Sequence, residues 1–464
     1  MKVYDTMTKD YVELKLGDVV KMYVCGITAY DYSHIGHARN AVFFDTVRRF
    51  LEFKGHKVIF VQNFTDIDDK IIKKALETKK TAKEVSEYFI AEYIRDISAL
   101  NVKTTFAPKV TDHIDDIIKA VELLIEKGFA YEVKGYYGYD VYFHVPAFES
   151  YGKLSGYSLE ELNRHRIEPD ERKKDVKDFA LWKSAKEEDF KAKSYFESPW
   201  GLGRPGWHIE CSVLSAKYLG VPFDIHGGGR DLIFPHHENE RAQSYALFSV
   251  EPVKYWIHND FVTVNGEKMS KSLGNIVRIR DVLSRYSGEV LRYFLLSSHY
   301  RSPLNYSEEN LKAAKKAYDY LLNTLTAIDM EISYLKTFGV DRESFTYTSY
   351  LDKFIKAMED DFNTAKAIAV MHEFASYLNK NVYSMNLKSL EKAFKEFKTM
   401  GWILGLFENY KRVPVLPEQD VKKIVERENA RKNKMFDIAD KIRDEFKSRG
   451  IYLIDTPKGT RWRT

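Results

Sequence analysis

The sequence predicts an α/β protein: a parallel sheet interrupted by an insertion, followed by an α-helical bundle and a small basic C-terminal domain. Three observations predict it. First, two short apolar, β-rich runs, VVKMYVCGI and HKVIFVQNF, flank GHARNAVFFDTVRRFLEFKG, whose apolar residues fall at helical spacing and which stops at Gly55. Strand, helix, strand in that order is a parallel βαβ unit. Second, from about Ser307 the pattern is helical throughout. Third, from Lys411 onward 15 Lys and Arg face 9 Asp and Glu, a balance of +6, although the whole chain carries only +4.

The remaining elements follow in order. Residues from about 111 to 199 break the sheet. They hold one strong helical run, DHIDDIIKAVELLIEKGF, with aromatic strand-like runs such as YYGYDVYFHV and charged loops. VPFDIHGGG reads as another buried strand ending in a glycine turn. DFVTVNGEKMS sets Asn265-Gly266 between two short runs, a strong hairpin signal. KAAKKAYDYLLNTLTAI, YLDKFIKAMEDDF, TAKAIAVMHEFASYLNK and LKSLEKAFKEFKTMGWILGLF carry apolar residues three and four apart, as bundle helices do. VPVLP reads as a linker to the basic tail. The expected division is 1–110 and 200–260 for two halves of the sheet domain and 111–199 for the insertion. The hairpin region takes 261–307, the bundle 308–408 and the basic domain 409–464.

A chain of 464 residues has room for several domains and ample core. No apolar run is long enough to span a bilayer, and MKVYDTMTKDYVELK lacks the apolar stretch of a secretory signal. Two cysteines cannot form a disulfide framework, which fits a reducing compartment. The expectation is a cytoplasmic protein with no membrane contact. The basic tail is a modest hint of nucleic acid, and a solvated helical face explains the charge equally well.

Three groups of residues could carry chemistry. His34-Ile35-Gly36-His37 follows the first strand and opens the first helix. The free N–H groups and dipole of a helix start favour phosphate, and imidazoles there can donate to charge developing on a triphosphate. Gly36 removes a side chain where a nucleotide could press on the backbone. Lys268-Met269-Ser270-Lys271-Ser272, followed by Leu273-Gly274-Asn275, sets two lysines in a loop where they could reach a departing pyrophosphate. Alone, an ordinary exposed basic loop explains it better. Finally, His236 and Glu240 stand four apart, on one face of a helix, with Pro235 suited to its first turn. If Cys25 and Cys211 converge on them, a zinc set results. Two buried free thiols and surface histidines are the bland alternative.

The early HIGH and the late KMSKS together resemble the class I aminoacyl-tRNA synthetases, whose two signatures flank the ATP site of a Rossmann-type fold. VCGITAYDYSHIGHAR, DFALWKSAK, GWHIECS, HGGGRDLIFPHHENE, VNGEKMSKSLGN and IDTPKGTRW occur in the order seen in the cysteinyl-tRNA synthetase family. The resemblance covers essentially the whole chain. It implies one Zn2+ held by Cys25, Cys211, His236 and Glu240, binding the substrate's sulfur as thiolate and so refusing serine. It implies catalytic roles for His34, His37, Lys268 and Lys271, and nucleotide contacts from Ile35, Gly36, Gly229, Asp231, Ser270 and Ser272. Gly26, Thr28, Thr65, Trp207 and His226 are implied to line the cysteine and adenylate site. The implied reaction activates L-cysteine with Mg2+-bound ATP to cysteinyl-adenylate and pyrophosphate, and then transfers cysteine to the terminal adenosine of tRNA(Cys). The tail becomes an anticodon-binding domain, with Arg431, Arg443, Asp455 and Trp462 in family-like segments, and the chain a monomer.

Ile27 and Ala29 depart from the family's usual CGPTVYD, and Ala365 stands where a proline is common. Gly26 and Thr28 remain, so neither departure is expected to threaten activity. An adenylate-forming ligase joining cysteine to an amino sugar would share the zinc set but resembles a synthetase without the tail. A non-catalytic RNA-binding protein with structural zinc would not need both signatures intact. The resemblance also implies a persulfide-forming side activity to which Lys70, Lys73 and Lys74 would be relevant, and solvated helix lysines explain those residues equally well.

Overall fold

The first β-rich run forms strand β1 (Val19–Thr28), the helical run α1 (Ile35–Phe53), and the second β-rich run β2 (Lys57–Thr65). β1 and β2 pair in parallel, from Val19 opposite Lys57 to Thr28 opposite Thr65. Their central residues are buried, which is why they read as nearly unbroken Val, Ile, Phe and Tyr rather than alternating. α1 buries Ala38, Ala41, Val42, Val47, Phe50 and Leu51. After a short helix, Asp69–Thr78, comes α2 (Ala82–Ser98), begun by a capping box of Thr81 and Glu84. Beyond the insertion, α3 (Trp207–Leu219), β3 (Phe223–Gly229), α4 (Glu238–Phe248) and β4 (Val253–Asn259) complete the sheet.

The strand order is β4-β3-β1-β2, all parallel. From β1 the chain steps outward one way to β2, and later the other way to β3 and β4. This reversal opens a crevice outside the carboxyl ends of β1 and β3. Cys25 to Thr28 lie at that end of β1, and His226 to Gly229 at that end of β3. Motifs about two hundred residues apart in sequence therefore meet.

This computed structural model describes residues 1–157, 170–270 and 273–464. The insertion carries an antiparallel sheet ordered Ala130–Lys134, Tyr139–Phe143, Phe179–Ser184, Gly203–Pro205. Its fourth strand lies past residue 199, where the insertion was expected to end. The returning chain pairs Pro205 with Trp182 before it enters α3. DFVTVNGEKMS forms the hairpin β5 (Val262–Val264) and β6 (Glu267–Lys268). Asn265 and Gly266 both take positive φ, 52° and 84°, as a two-residue turn of matching twist requires.

These elements belong to one unit, Met1–Gly288 with Ser298–Ser307; Glu289–Ser297 and Glu308–Thr464 form another. In the second unit the expected bundle helices are Glu308–Phe338, Leu351–Glu359, Thr364–Asn381 and Leu387–Leu404. The basic end comprises helices Glu418–Lys432 and Phe436–Ser448 and the hairpin Tyr452–Thr456 with Gly459–Arg463. It closes on Val413, Leu416, Ile424, Ile442, Phe446, Ile451 and Trp462, packed against Tyr334 and Phe338 of the long helix. VPVLP is thus a packed joint and not a free linker, because Val413 and Leu416 find apolar cover, although Val415 is exposed. The Pro414 carbonyl accepts from Ser333 Oγ and from Trp462 Nε1, the latter at 2.8 Å. Trp462 is fully buried core. Among the described residues no helix is long and apolar enough to cross a membrane.

Candidate active site

Cys25 Sγ and Cys211 Sγ lie 3.7 Å apart. Glu240 Oε1 is 3.3 Å from Cys25 Sγ and 2.9 Å from His236 Nε2. One ligand atom from each of Cys25, Cys211, His236 and Glu240 lies within 4.8 Å of the others, and all four residues are buried. β1 supplies Cys25, α3 Cys211 and α4 Glu240. His236 arrives differently from the sequence expectation. Regular helix begins only at Glu238, after a kinked wide turn, Ile233–His237, in which Phe234 is extended at φ −135°, ψ 133°. Pro235 disfavours helical backbone in the residue before it, so it shapes this turn and does not open α4.

The four groups hold their protons unequally. Burial pushes the Cys25 thiol well up, with Cys211 adding to the effect. Burial also acts to raise Cys211, but hydrogen bonding from Cys25 and the charge of His236 bring its thiol down to about 6. Burial opposes charge on Glu240 too, yet His226 and His236 hold it well below the usual carboxylate range. Burial disfavours the imidazolium of His236, but Glu240 and Cys211 push it up to about 10. Cys211 and Glu240 thus keep negative charge in a buried site, while Cys25 and His236 hold protons that a bound cation would displace. Two sulfurs, one imidazole and one carboxylate match the ligand preferences of zinc.

Further histidines surround the cluster: His226, which the resemblance placed in the substrate pocket, and His208, His237 and His258, to which sequence reasoning gave no role. His226 Nε2 meets Glu240 Oε2 at 2.8 Å; the carboxylate only accepts, so the proton sits on Nε2. His226 Nδ1 is buried with no hydrogen-bond partner among the described residues. His237 Nε2 is 3.3 Å from Cys25 Sγ, and its Nδ1 is 2.7 Å from His258 Nε2. His258 Nδ1 in turn lies 2.7 Å from Thr6 Oγ1. His208 Nδ1 is 2.8 Å from His236 Nδ1, which fixes the ring that faces Glu240. His208 and His237 each adjoin a motif residue, so a signal existed. His258 gave none, because it reaches the site only by β4 lying beside β3.

Other sequence-selected residues fall around the same crevice. Trp207 is 38% exposed, not core, and stacks on His236 with centroids 4.1 Å apart and planes at 22°. Thr65 Oγ1 donates to Glu210 Oε2 at 2.8 Å. Thr28 lies opposite Thr65 in the sheet. Gly26 N donates to Asn63 Oδ1 at 3.0 Å, and a Cβ at Gly26 would sit 1.6 Å from the Asn63 carbonyl oxygen. Only glycine fits there. Gly229 ends β3, and Asp231 is exposed in the turn beyond it.

His34 is the N-cap of α1, and Ile35 is buried behind it. His34 Nδ1 accepts from Gly36 N at 3.2 Å, and His37 Nδ1 accepts from His34 N at 3.3 Å. The rings stack 3.7 Å apart at 19°. With both Nδ1 atoms accepting, each neutral ring carries its proton on Nε2. Burial, then His34 and Lys70, hold the His37 pKa well below its ordinary value, so the ring is neutral at physiological pH. A Cβ at Gly36 would lie 3.0 Å from the His34 ring and 3.4 Å from Met269 Cε, so the second signature sits over the first. Lys268 is exposed at the end of β6. Asn275 Oδ1 accepts from Ser270 N at 2.8 Å, and its Nδ2 donates to the Lys268 carbonyl at 3.1 Å. Lys271 and Ser272 lie outside the described residues.

Residues 12–316 match the family of tRNA synthetases class I (C), catalytic domain, and residues 353–408 match the DALR domain. A cysteine–tRNA ligase of Archaeoglobus fulgidus is 65% identical over 469 aligned residues, covering 100% of both chains. One from Thermococcus gammatolerans is 50% identical, covering 100% of this chain and 99% of that one. The chain belongs to the cysteine–tRNA ligase family. As expected of a class I family, its fold is shared by distant synthetases. Methionyl-tRNA synthetase of Mycobacterium tuberculosis, bound by methionyl-adenylate, superposes with a TM-score of 0.62 at 14% identity, covering 87% of this chain and 94% of that one. In this cysteine–tRNA ligase family member the DALR match spans the three shorter bundle helices.

Proposed function

We propose that the chain activates L-cysteine with ATP and then charges tRNA(Cys). The observation that carries this reading is the buried Cys25, Cys211, His236 and Glu240 cluster, set at the carboxyl end of the strand whose exit bears His34 and His37. Zinc held by those four residues supplies a soft site that takes a thiolate in preference to a hydroxyl. A pocket of fixed shape would separate cysteine from serine only modestly, so a chemical distinction is what the reaction needs. Trp207 and His226 wall the side-chain pocket, and His208 and His237 hold their neighbours in place.

The carboxylate of cysteine attacks the α-phosphorus of Mg-ATP in line, and pyrophosphate leaves. His34 and His37 present neutral Nε2–H donors at a helix start, where negative charge grows. Lys268 and Lys271 take up the charge of the departing pyrophosphate. Gly36, Gly229, Asp231, Ser270 and Ser272 line the nucleotide, and Gly26, Thr28 and Thr65 the adenylate; Ile35, expected there too, is fully buried and supports His34 from behind. No protein nucleophile is needed; orientation and preorganised donors suffice. In the second step the 2′-hydroxyl of the terminal adenosine attacks the carbonyl carbon of the adenylate, loses its proton, and the acyl–phosphate bond breaks to release AMP.

The parts divide accordingly. Residues 1–110 and 200–260 activate cysteine, 111–199 form the insertion, and 261–307 carry the second signature. Residues 308–408 and 409–464 hold the tRNA, the latter reading its anticodon. In the last of these, Phe436 is 59% exposed and Met435 46%, beside the exposed Arg431, Lys432 and Lys434. An exposed ring among cations suits unstacked bases and phosphate. Arg431 is ion-paired to Asp455, and Arg443 to Asp440. We place the chain in the cytoplasm as a monomer.

Amino-acid-dependent ATP–pyrophosphate exchange, with zinc measured on the same sample, tests the reading. Fast exchange with cysteine, almost none with serine and about one zinc per chain are expected. Zinc without exchange would overturn it in favour of a structural metal.

A further inference from the structure

Arg280 has no part in the chemistry above. Its guanidinium nevertheless lies 3.8 Å from the centroid of the Tyr32 ring, just before His34. The other edges of that ring meet α2: Phe89 at 5.3 Å and Tyr88 at 6.2 Å, with the Tyr32 and Tyr88 hydroxyls 2.7 Å apart. The same guanidinium pairs with Glu92 and lies 3.6 Å from Asp96, both on α2. Arg278 is 5.3 Å from the Tyr32 ring and 4.0 Å from Asp31. A planar guanidinium can stack on a ring while donating in its plane to carboxylates, which an ammonium cannot do.

The backbone repeats this link. Ile35 N donates to the Val277 carbonyl and Ile279 N to the Ser33 carbonyl, each at 3.0 Å, bridging His34 to Arg278. Residues 277 to 280 are the chain leaving the second signature. Asn275 closes that signature on itself by holding Ser270 N and the Lys268 carbonyl. Lys268 therefore belongs to a loop whose exit is bolted to the two flanks of His34. Loss of the bolt lets the loop and the imidazoles drift apart, and about 1 Å of such drift costs on the order of 100-fold in rate.

We infer that Arg280, acting through Tyr32 and the Ser33–Ile35 backbone, is a positioning residue that sets the second signature against His34 and His37 for the ATP step. This rests on the ATP-activating reading given above. A device that aligns the two ATP signatures should affect ATP and spare cysteine, because the thiol cluster shares none of these contacts.

Steady-state cysteine-dependent exchange on the full-length, zinc-loaded chain tests it. Wild-type exchange establishes the activity itself, and its absence would sink both readings together. Given wild-type exchange, Arg280→Ala should lower kcat about 30- to 100-fold and raise the KM for ATP about 5-fold or more. The KM for cysteine should stay within about twofold and zinc at about one per chain. Tyr32→Leu should behave like Arg280→Ala, and Arg280→Lys should resemble alanine more than arginine. Tyr32→Phe, which keeps the ring face, should stay near wild type and folded. Wild-type kinetics in Arg280→Ala would overturn the inference and leave the activity standing. So would equal rises in both KM values, or a lower melting temperature as the sole change.

Discussion

His37 carries two jobs on two nitrogens, and they can be separated. Nδ1 accepts from His34 N at 3.3 Å and helps to cap α1; Nε2–H is the donor proposed to meet charge on the α-phosphate. Asparagine places an oxygen near the Nδ1 position and nothing at Nε2. Glutamine places an N–H donor near Nε2 and gives up the Nδ1 contact. His37→Asn should therefore fold nearly as well as wild type and lose one donor to the transition state, about 2.7–4 kcal/mol or on the order of 10²–10³ in rate. His37→Gln should keep most of the rate and lose about 0.5–2 kcal/mol of stability, the usual worth of a cap. Single-turnover adenylate formation reads the first quantity and urea denaturation the second. An Asn variant as fast as wild type would refute the donor role. A Gln variant as slow as the Asn variant would show that the imidazole is needed for something other than its Nε2–H.

Four further outcomes are expected. Cys211→Ser should lower zinc content and cut cysteine-dependent exchange by more than about 100-fold, since residues behind metal ligands alone cost 10- to 100-fold; full activity in a zinc-poor variant would reject the metal role. Lys271→Ala should slow adenylate formation far more than it weakens tRNA binding, measured by rapid quench and filter binding. Burial, aided by His226, lowers the His258 pKa to about 3 from about 6.5 unfolded. Its contribution is complete above about pH 6.5 and is lost as pH falls, about 1.4 kcal/mol per unit, so His258→Asn should flatten the pH 6.5 to 5 limb of a denaturation series by about 2 kcal/mol. Glu331 holds Arg461 at 2.6 and 3.1 Å with both side chains 1% exposed. Glu331→Gln strands part of that buried charge and should cost about 3–5 kcal/mol in a chemical melt.

The sequence by itself settled much of the fold. β1, α1, β2, the Asn265-Gly266 hairpin and the bundle helices are local: hydrophobic period and turn chemistry specify each within its own segment. The motif residues were legible for the same reason, since Cys25, His34, His37, Cys211, His236 and Glu240 stand in runs with recognisable neighbours. Other features were not local. That strand Gly203–Pro205 belongs to the inserted sheet depends on its pairing with Phe179–Ser184, which no short window encodes. VPVLP looked like a linker because prolines break helices, but Trp462 and Ser333, both distant in sequence, pin it down. His258 joined the site only once the sheet reversed direction at β1 and laid β4 beside β3. The pairing of Tyr32 with Arg280 has no signature, because a cation over a ring requires a tertiary fold to bring them face to face. Sequence pattern thus chose the elements and their chemistry. Packing alone decided which distant side chains share a hydrogen bond, because that depends on distances between segments and not on the residues within them.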